Sequence, residues 1–590
     1  MSVAERPTVI APRAAEPGRG EPGHADERRW PWWVALGVVL AVAFGLRVWG
    51  VKQGLPYAYN ADENAHFVTG AIGLFGHGWN PHYFVNPPAY TYLLHVVFDV
   101  WFGGRDGVAK AYTTNPTEVF VVARVTAAVL GTLAVWLVYL AGAKLFSRAV
   151  GLLAAALLAV AYLPVFYSHL ALNDGPTLAP IALSLWGTAG VLRDGRLRYY
   201  LLAGAGLGLA CATKYTGGVV LVPLLCAAGF AIATRAQRRT AIVGLLLAGV
   251  VAIAAFVIAN PYALLDWGAF TDGLNHQADA SEDVAGKLGL TQTSGYLYYL
   301  WTFTWGLGWV PIVASVAGLV LLGFRDRRAL LVLGLAPILY IIFMGGQGRF
   351  FGRWLLPIFP IACLLGAYAV VQLAQLAGRR VPALAPALAA LGAVLLLGQG
   401  IVYSLHSAMT LSKTDTRNAT RDWLVANVPA NTKIVVEPVV PDGWATDIGR
   451  PNSGTANGAR WSKFPTSRSN IADDGTIIPG PGRIVNIEDY ERTLYPGLID
   501  RYVARGYCWV VVGSTQRGRA EAQPEKVPRA IAYYRDLERR SKLAFEASPY
   551  AKGKGPVKFN FDWTFDYYPL AYDQPGPVMQ VYRLRGGRCG

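Results

Sequence analysis

Residues 241–261 read AIVGLLLAGVVAIAAFVIANP, an uncharged run that follows the basic stretch Arg235-Ala236-Gln237-Arg238-Arg239 and closes on Asn260-Pro261. At about 1.5 Å per residue, a helix of this run matches the roughly 30 Å hydrocarbon core of a bilayer. Apolar on every side, it has no face for water. Runs of the same kind fall at 32–50, 119–142, 149–168, 176–192, 199–213, 215–233, 296–323, 329–345, 354–377 and 382–408, so the sequence predicts eleven spans. Composition agrees. Of 590 residues, 53% are hydrophobic and only 15% charged, which excludes a purely soluble protein, and 12% aromatic residues in long apolar blocks exclude disorder. Mean hydropathy is +0.33. The net charge of +16 comes from basic residues in loops at a membrane face, where they meet anionic lipid head groups, so nucleic acid is not the partner. Five cysteines without metal-like spacing exclude a zinc module.

The basic connectors set the sidedness, because Lys and Arg concentrate in cytoplasmic loops. They are Arg28-Arg29, Lys144 to Arg148, Arg193 to Arg198, Arg235 to Arg239, Arg325 to Arg328 and Arg379-Arg380. A further apolar stretch, 88–103, opens at Pro87-Pro88; as a twelfth span it would turn every later basic loop outward. It is therefore expected to be a re-entrant or interfacial helix. The loop 51–87, the turn 169–175, the hairpin tip at Lys214, the loop 262–295, the turn Arg349 to Arg353 and everything beyond about 410 then share the outer face. Residues 1–29 read as a disordered cytoplasmic tail without a signal-peptide cleavage site.

From residue 411 to 590 the composition is that of a soluble α/β domain. Thr414-Asp415-Thr416 suits a helix cap, and Lys433 to Glu437, Tyr507 to Val512 and Val578 to Leu584 read as strands. Residues 451–482 read as long Gly- and Pro-rich loops, and Cys508 and Cys589 could bridge.

Ionisable residues at a lipid boundary are costly and tend to carry function. The first outer loop holds Tyr59-Asn60-Ala61-Asp62-Glu63-Asn64-Ala65-His66-Phe67, and on a helix Asp62 and His66 would share a face. Four of the eight histidines, His66, His77, His82 and His95, lie close together, which permits a divalent metal but matches no ligand spacing. Asp174, in Leu172-Asn173-Asp174-Gly175-Pro176, is a second outer carboxylate. Asp62 and Asp174 can equally be read as helix caps. Lys214 either snorkels to the interface or neutralises a phosphate, as Arg349 and Arg353 also could.

Asp62-Glu63-Asn64-Ala65-His66-Phe67, followed by Asn86-Pro87-Pro88-Ala89-Tyr90, resembles the first outer loop of protein O-mannosyltransferases. It is also similar to bacterial lipid-A aminoarabinose transferases; both are multispanning glycosyltransferases of the GT-C type. The resemblance continues through Arg124, Lys144-Leu145-Phe146, Ser168 to Asp174, Gly204 to Lys214, Arg353-Trp354-Leu355-Leu356-Pro357, Asp415 to Trp423 and Asn431 to Glu437. It implies a GT-C transmembrane catalytic domain over 30–410, with outer loop 51–118, and an extracytoplasmic domain over 411–590, in the cytoplasmic (inner) membrane. The implied activity is inverting transfer of a sugar from a polyprenyl-phosphate carrier to a protein, lipid or glycan acceptor. The residue match makes Asp62 the catalytic acidic residue, with its neighbour Glu63 beside it in catalysis. His66, Asn86 and Asp174 would orient the acceptor, and Lys214, Arg349 and Arg353 would hold the carrier phosphate. Asn86 departs from the family pattern, where a charged residue or His often precedes the double proline. No cofactor is required by the resemblance, and a metal is left open. A transporter, or a non-catalytic sensor or scaffold, would share the many spans and the outer tail.

Overall fold

The computed structural model describes residues 30–282, 288–289, 294–447, 459–467, 485–487, 490–561 and 567–590. The expected tail 1–29, with Arg28-Arg29, and most of the expected loop 451–482 lie outside the described residues. Each of the eleven apolar blocks is helical, from Trp30–Val48 and Thr117–Leu145 to Phe359–Gly378 and Leu384–Leu411. Among the described residues, eight helices are long and apolar enough to cross a membrane. Three shorter ones, Arg148–Val160, Leu178–Asp194 and Leu197–Thr213, pack within the same bundle.

Local chemistry sets the helix ends. The Ser147 hydroxyl accepts the Val150 N–H (3.3 Å), and the Asp326 carboxylate accepts the Ala329 N–H (3.0 Å), each satisfying a donor at a helix start. In lipid, burial of apolar surface does not drive helices together, so close van der Waals packing must. Gly204 and Gly208, one turn apart, lie directly against Ala248 and Ala252 of the helix Arg238–Ala259. A Cβ on Gly208 would sit 2.1 Å from the Ala252 carbonyl oxygen.

The later basic connectors gather at one end of this bundle. Lys144 pairs with Asp194 (2.6 Å), Arg193 with Asp326 (2.7 Å) and with the Leu145 carbonyl (2.9 Å), and Arg328 lies over Phe230. Trp33 meets Tyr139 near that end, so the first helix starts there. The stretch 88–103 forms Ala89–Phe102, whose 14 residues reach only about 21 Å, too short to span. Its exposed Val96, Val100 and Trp101 suit an interfacial helix, and it is tied to the bundle by the Tyr90 hydroxyl donating to the Ala123 carbonyl (2.9 Å).

Beyond Leu411, the helix Thr416–Asn427 is capped by Asp415, whose side chain accepts the Arg417 N–H (2.9 Å). Strands β1 (Lys433–Val436), β2 (Ser462–Lys463), β3 (Thr466–Ser467), β4 (Val485–Asn486), β5 (Trp509–Gly513), β6 (Ser541–Ala547) and β7 (Met579–Leu584) follow. Five of them make a sheet in the order β2-β1-β5-β7-β6, parallel across β2, β1 and β5 and antiparallel beyond; β3 and β4 pair separately. Side chains alternate across a strand, so Val510 and Val512 face Tyr502, Tyr533 and Leu537, while Val511 faces Leu424 and Trp444. Cys508 and Cys589 are joined in a disulfide.

This C-terminal domain is not a pendant. Tyr567 and Tyr568 belong to the core of the helical bundle. The Tyr567 hydroxyl donates to that of Tyr167 (2.6 Å), and the ring packs on Phe166 and Trp305.

Candidate active site

At the end of the bundle opposite the basic connectors, a cavity of about 640 Å³ is lined by Asp62, His66, Asn86, Asp174, Lys214, Arg349 and Arg353. Seven of the eight residues given a role from the sequence thus meet in one place; Glu63 is the exception.

The Asp62 side chain caps no helix. That role belongs to Asn60, whose side-chain oxygen accepts the N–H groups of Asp62 (3.1 Å) and Glu63 (3.2 Å). Asp62 is left to face the cavity, its Oδ2 3.3 Å from Nη2 of Arg353. The next turn is a π-helix, Glu63–Phe67, a wide turn frequent at functional sites.

Glu63 turns the other way. It is fully buried and holds Arg124 bidentately, at 2.6 Å to Nε and 2.7 Å to Nη2. It also accepts the Ala171 N–H (2.9 Å), while Arg124 Nη1 donates to the carbonyls of Val51 and Gln53 (both 2.8 Å). Expected beside Asp62 in catalysis, Glu63 lies outside the cavity lining, and its pair with Arg124 joins the first loop to helix Thr117–Leu145 and to the turn at Ala171.

His66 stacks on Tyr83, the ring centroids 4.5 Å apart and 5° from parallel. Burial holds its imidazole below the usual histidine range, with Asp62 pulling the other way. The Tyr83 hydroxyl accepts from Asn86 (2.9 Å), and burial pushes that phenol up to about 12. Neutral His66 and neutral Tyr83 therefore make a flat polar platform on the cavity wall.

Asp174, likewise no cap, pairs with Lys214, and the helix after it starts only at Leu178. Its neighbour Asn173 donates to the Thr213 carbonyl (2.8 Å), which brings the turn 169–175 against the hairpin tip. Lys214 is extended at the end of helix Leu197–Thr213 and is mostly buried, so it does not snorkel to the interface. Arg349 and Arg353 lie over the same Phe351 ring, 5.0 and 4.6 Å from its centroid. Such faces attract guanidinium groups and hold them in a defined plane.

Sequence reasoning missed the remaining wall. The amphipathic helix Trp267–Glu282 adds Asn275, His276, Gln277, Ser281 and Glu282, and the Arg349 N–H donates to the Ser281 carbonyl (2.9 Å). In the sequence it reads as part of the outer loop 262–295, and only the fold places it over the cavity.

No three His, Cys, Asp or Glu side chains cluster as a metal site among the described residues. The two central carboxylates each already face a cation. This donor set does not fit a divalent ion at Asp62 or Asp174.

Residues 117–261 match the family model of dolichyl-phosphate-mannose-protein mannosyltransferase. No curated protein matches the chain. Among solved structures it is similar to the archaeal oligosaccharyltransferase AglB from Archaeoglobus fulgidus, in complex with an inhibitory peptide and a dolichol-phosphate. The TM-score is 0.51 at 12% identity, covering 89% of this chain and 74% of that one. It is also similar to ArnT from Cupriavidus metallidurans bound to undecaprenyl phosphate, with a TM-score of 0.43 at 13% identity over 94% of this chain and 98% of that one. The likeness to AglB is one of fold, and that architecture is the GT-C membrane fold. Within it, residues 117–261 carry the sequence pattern of the dolichyl-phosphate-mannose-protein mannosyltransferases.

Proposed function

We propose that this protein moves a sugar from a polyprenyl-phosphate carrier to an acceptor hydroxyl, at the membrane face opposite its basic connectors. The observation that carries the reading is the single cavity in which two carboxylates, Asp62 and Asp174, meet three cations, Lys214, Arg349 and Arg353. The cations suit a lipid-linked phosphate, and the carboxylates suit an acceptor that must lose a proton.

In the proposed reaction, the acceptor oxygen attacks the anomeric carbon and passes its proton to the Asp62 carboxylate. A new C–O bond forms as the bond from the anomeric carbon to the phosphate oxygen breaks, and the carrier leaves with that electron pair. One displacement inverts the sugar carbon. Negative charge grows on the phosphate, where fixed cations in a partly closed site stabilise it more strongly than water would. At rest Arg353 faces Asp62 (3.3 Å), and an arriving phosphate draws the guanidinium and frees the carboxylate to act as base. The carrier chain lies between spans, among lipid. The sidedness fits the cytoplasmic membrane with the outer domain on its external face. A sugar hydroxyl could serve as acceptor as well as a protein Ser or Thr, since the stacked His66–Tyr83 platform suits either.

The test is transfer of radiolabelled sugar from synthetic polyprenyl-phosphate donors by the purified protein, with envelope glycans and glycoproteins compared by mass spectrometry in cells with and without it. Asp62→Asn should lower turnover about 10²- to 10⁴-fold, the span of general-base catalysis, and leave folding intact. Wild-type turnover in that variant removes Asp62 from the mechanism. Solute uptake without carrier turnover would favour a transporter instead.

A further inference from the structure

The two arginines of the cavity share one support, and that support is held from outside the bundle. Arg349 and Arg353 lie over Phe351, a ring on an extended stretch between Phe350 and Gly352. Two guanidinium groups on one small ring repel each other, so the ring must be fixed if both are to stay aimed into the cavity. Trp354 meets it edge-on at 5.2 Å. A second aromatic contact comes from the outer domain: Phe561, 210 residues further along, packs on Phe351 at 5.9 Å. Both rings are buried and form a small apolar cluster of their own, with Trp354 and Phe559 at its edge.

Phe561 is itself anchored on the outer-domain side. The Arg519 guanidinium lies over its ring at 5.1 Å. Phe559 packs so closely on Gly518 and Gly289 that a Cβ on either glycine would fall within 2.6 Å of its ring. The contact path thus runs from the helix Ser514–Ala522 through Phe559 and Phe561 to Phe351, and from there to both cations.

We propose that Phe561 is a positioning residue for the phosphate-binding arginines, so that the outer domain supplies part of the carrier site without touching the carrier. This rests on the reading of Arg349 and Arg353 as phosphate ligands given above. Removing the Phe561 ring lets Phe351 turn, and one or both guanidinium groups leave their aim. A charge-assisted contact to phosphate is then lost or lengthened, while the cavity keeps its charge.

The test uses the full chain in lipid nanodiscs with undecaprenyl phosphate as the probe, titrated by native mass spectrometry. Phe561→Leu is expected to weaken binding about tenfold, the scale of one charge-assisted contact. Phe561→Tyr, which keeps the ring, should restore it. In an Arg349→Ala/Arg353→Ala background, Phe561→Leu should change binding no further, because its effect passes through those two groups. Phe561→Met serves by the same criteria where the Leu variant does not fold. Unchanged binding in the ring-less variants, or an equal loss in both backgrounds, overturns the inference and leaves the proposed function standing. Wild-type protein that does not bind undecaprenyl phosphate overturns both.

Discussion

Replacing Glu63 with glutamine distinguishes a clasp from a catalyst. The side chain is fully enclosed and makes two short bonds to Arg124 and a third to the Ala171 N–H. An amide in its place could accept from one partner but would leave the guanidinium without its counter-charge. Stranding one member of a buried ion pair costs about 3–5 kcal/mol, and the two backbone carbonyls on Arg124 Nη1 do not remove the net charge. The expected result is a protein that unfolds in detergent at clearly lower denaturant than wild type, with turnover falling only as far as Asp62 is displaced. Glu63→Leu combined with Arg124→Leu should recover much of the stability, since apolar replacement of both partners removes the stranded charge. Asp62→Asn should show the opposite pattern, with activity lost and stability kept. If Glu63→Gln unfolds like wild type yet has no transfer activity, the clasp is wrong and Glu63 does chemistry.

Gly208→Ala forces a methyl group to within 2.1 Å of the Ala252 carbonyl oxygen, so the two helices must part; overpacking of this kind costs about 1–3 kcal/mol and should show as a lower melting temperature in detergent. Glu437, buried between the Gly513 N–H and the Tyr534 hydroxyl, is pushed up to about 8 by burial. A carboxyl whose folded value lies above its unfolded value of about 4.3 adds stability that is complete below the unfolded value and is lost as pH rises through about 8. Unfolding of the C-terminal domain should therefore become easier between those limits, and Glu437→Gln should flatten that dependence. Cys508→Ser opens a link between residues 81 apart and should cost about 2–4 kcal/mol, read by the unfolding midpoint of the C-terminal domain with and without reductant.

What the sequence reveals follows from which forces act locally. Bilayer thickness acts on every span, so the apolar blocks and helices coincide. Strands β1, β5 and β7 are legible because Val, Ile and aromatic residues fill both faces of a central sheet. The edge strand β6, Ser-Lys-Leu-Ala-Phe-Glu-Ala, is not, since an edge tolerates charge. Asp62 and Glu63 are adjacent acids, and nothing local separates them. What does is Arg124, whose side of helix Thr117–Leu145 is known only once the bundle is packed. Asn60 was within reach, being a cap residue just before the acidic pair. The wall at 274–282 and the plug at Tyr567 arise from contacts between distant parts of the chain, which periodicity does not record.

The lodging of Tyr567 among Tyr167, Phe166 and Trp305 also orders events during synthesis. The helix ending at Leu411 leaves the ribosome about 150 residues before Tyr567, which at 5–20 residues per second is a wait of about 8–30 s. For that time the aromatic slot is open to lipid tails, and the newborn chain has all its spans but an unfinished interior. A stretch about 150 residues beyond the last of these helices completes it.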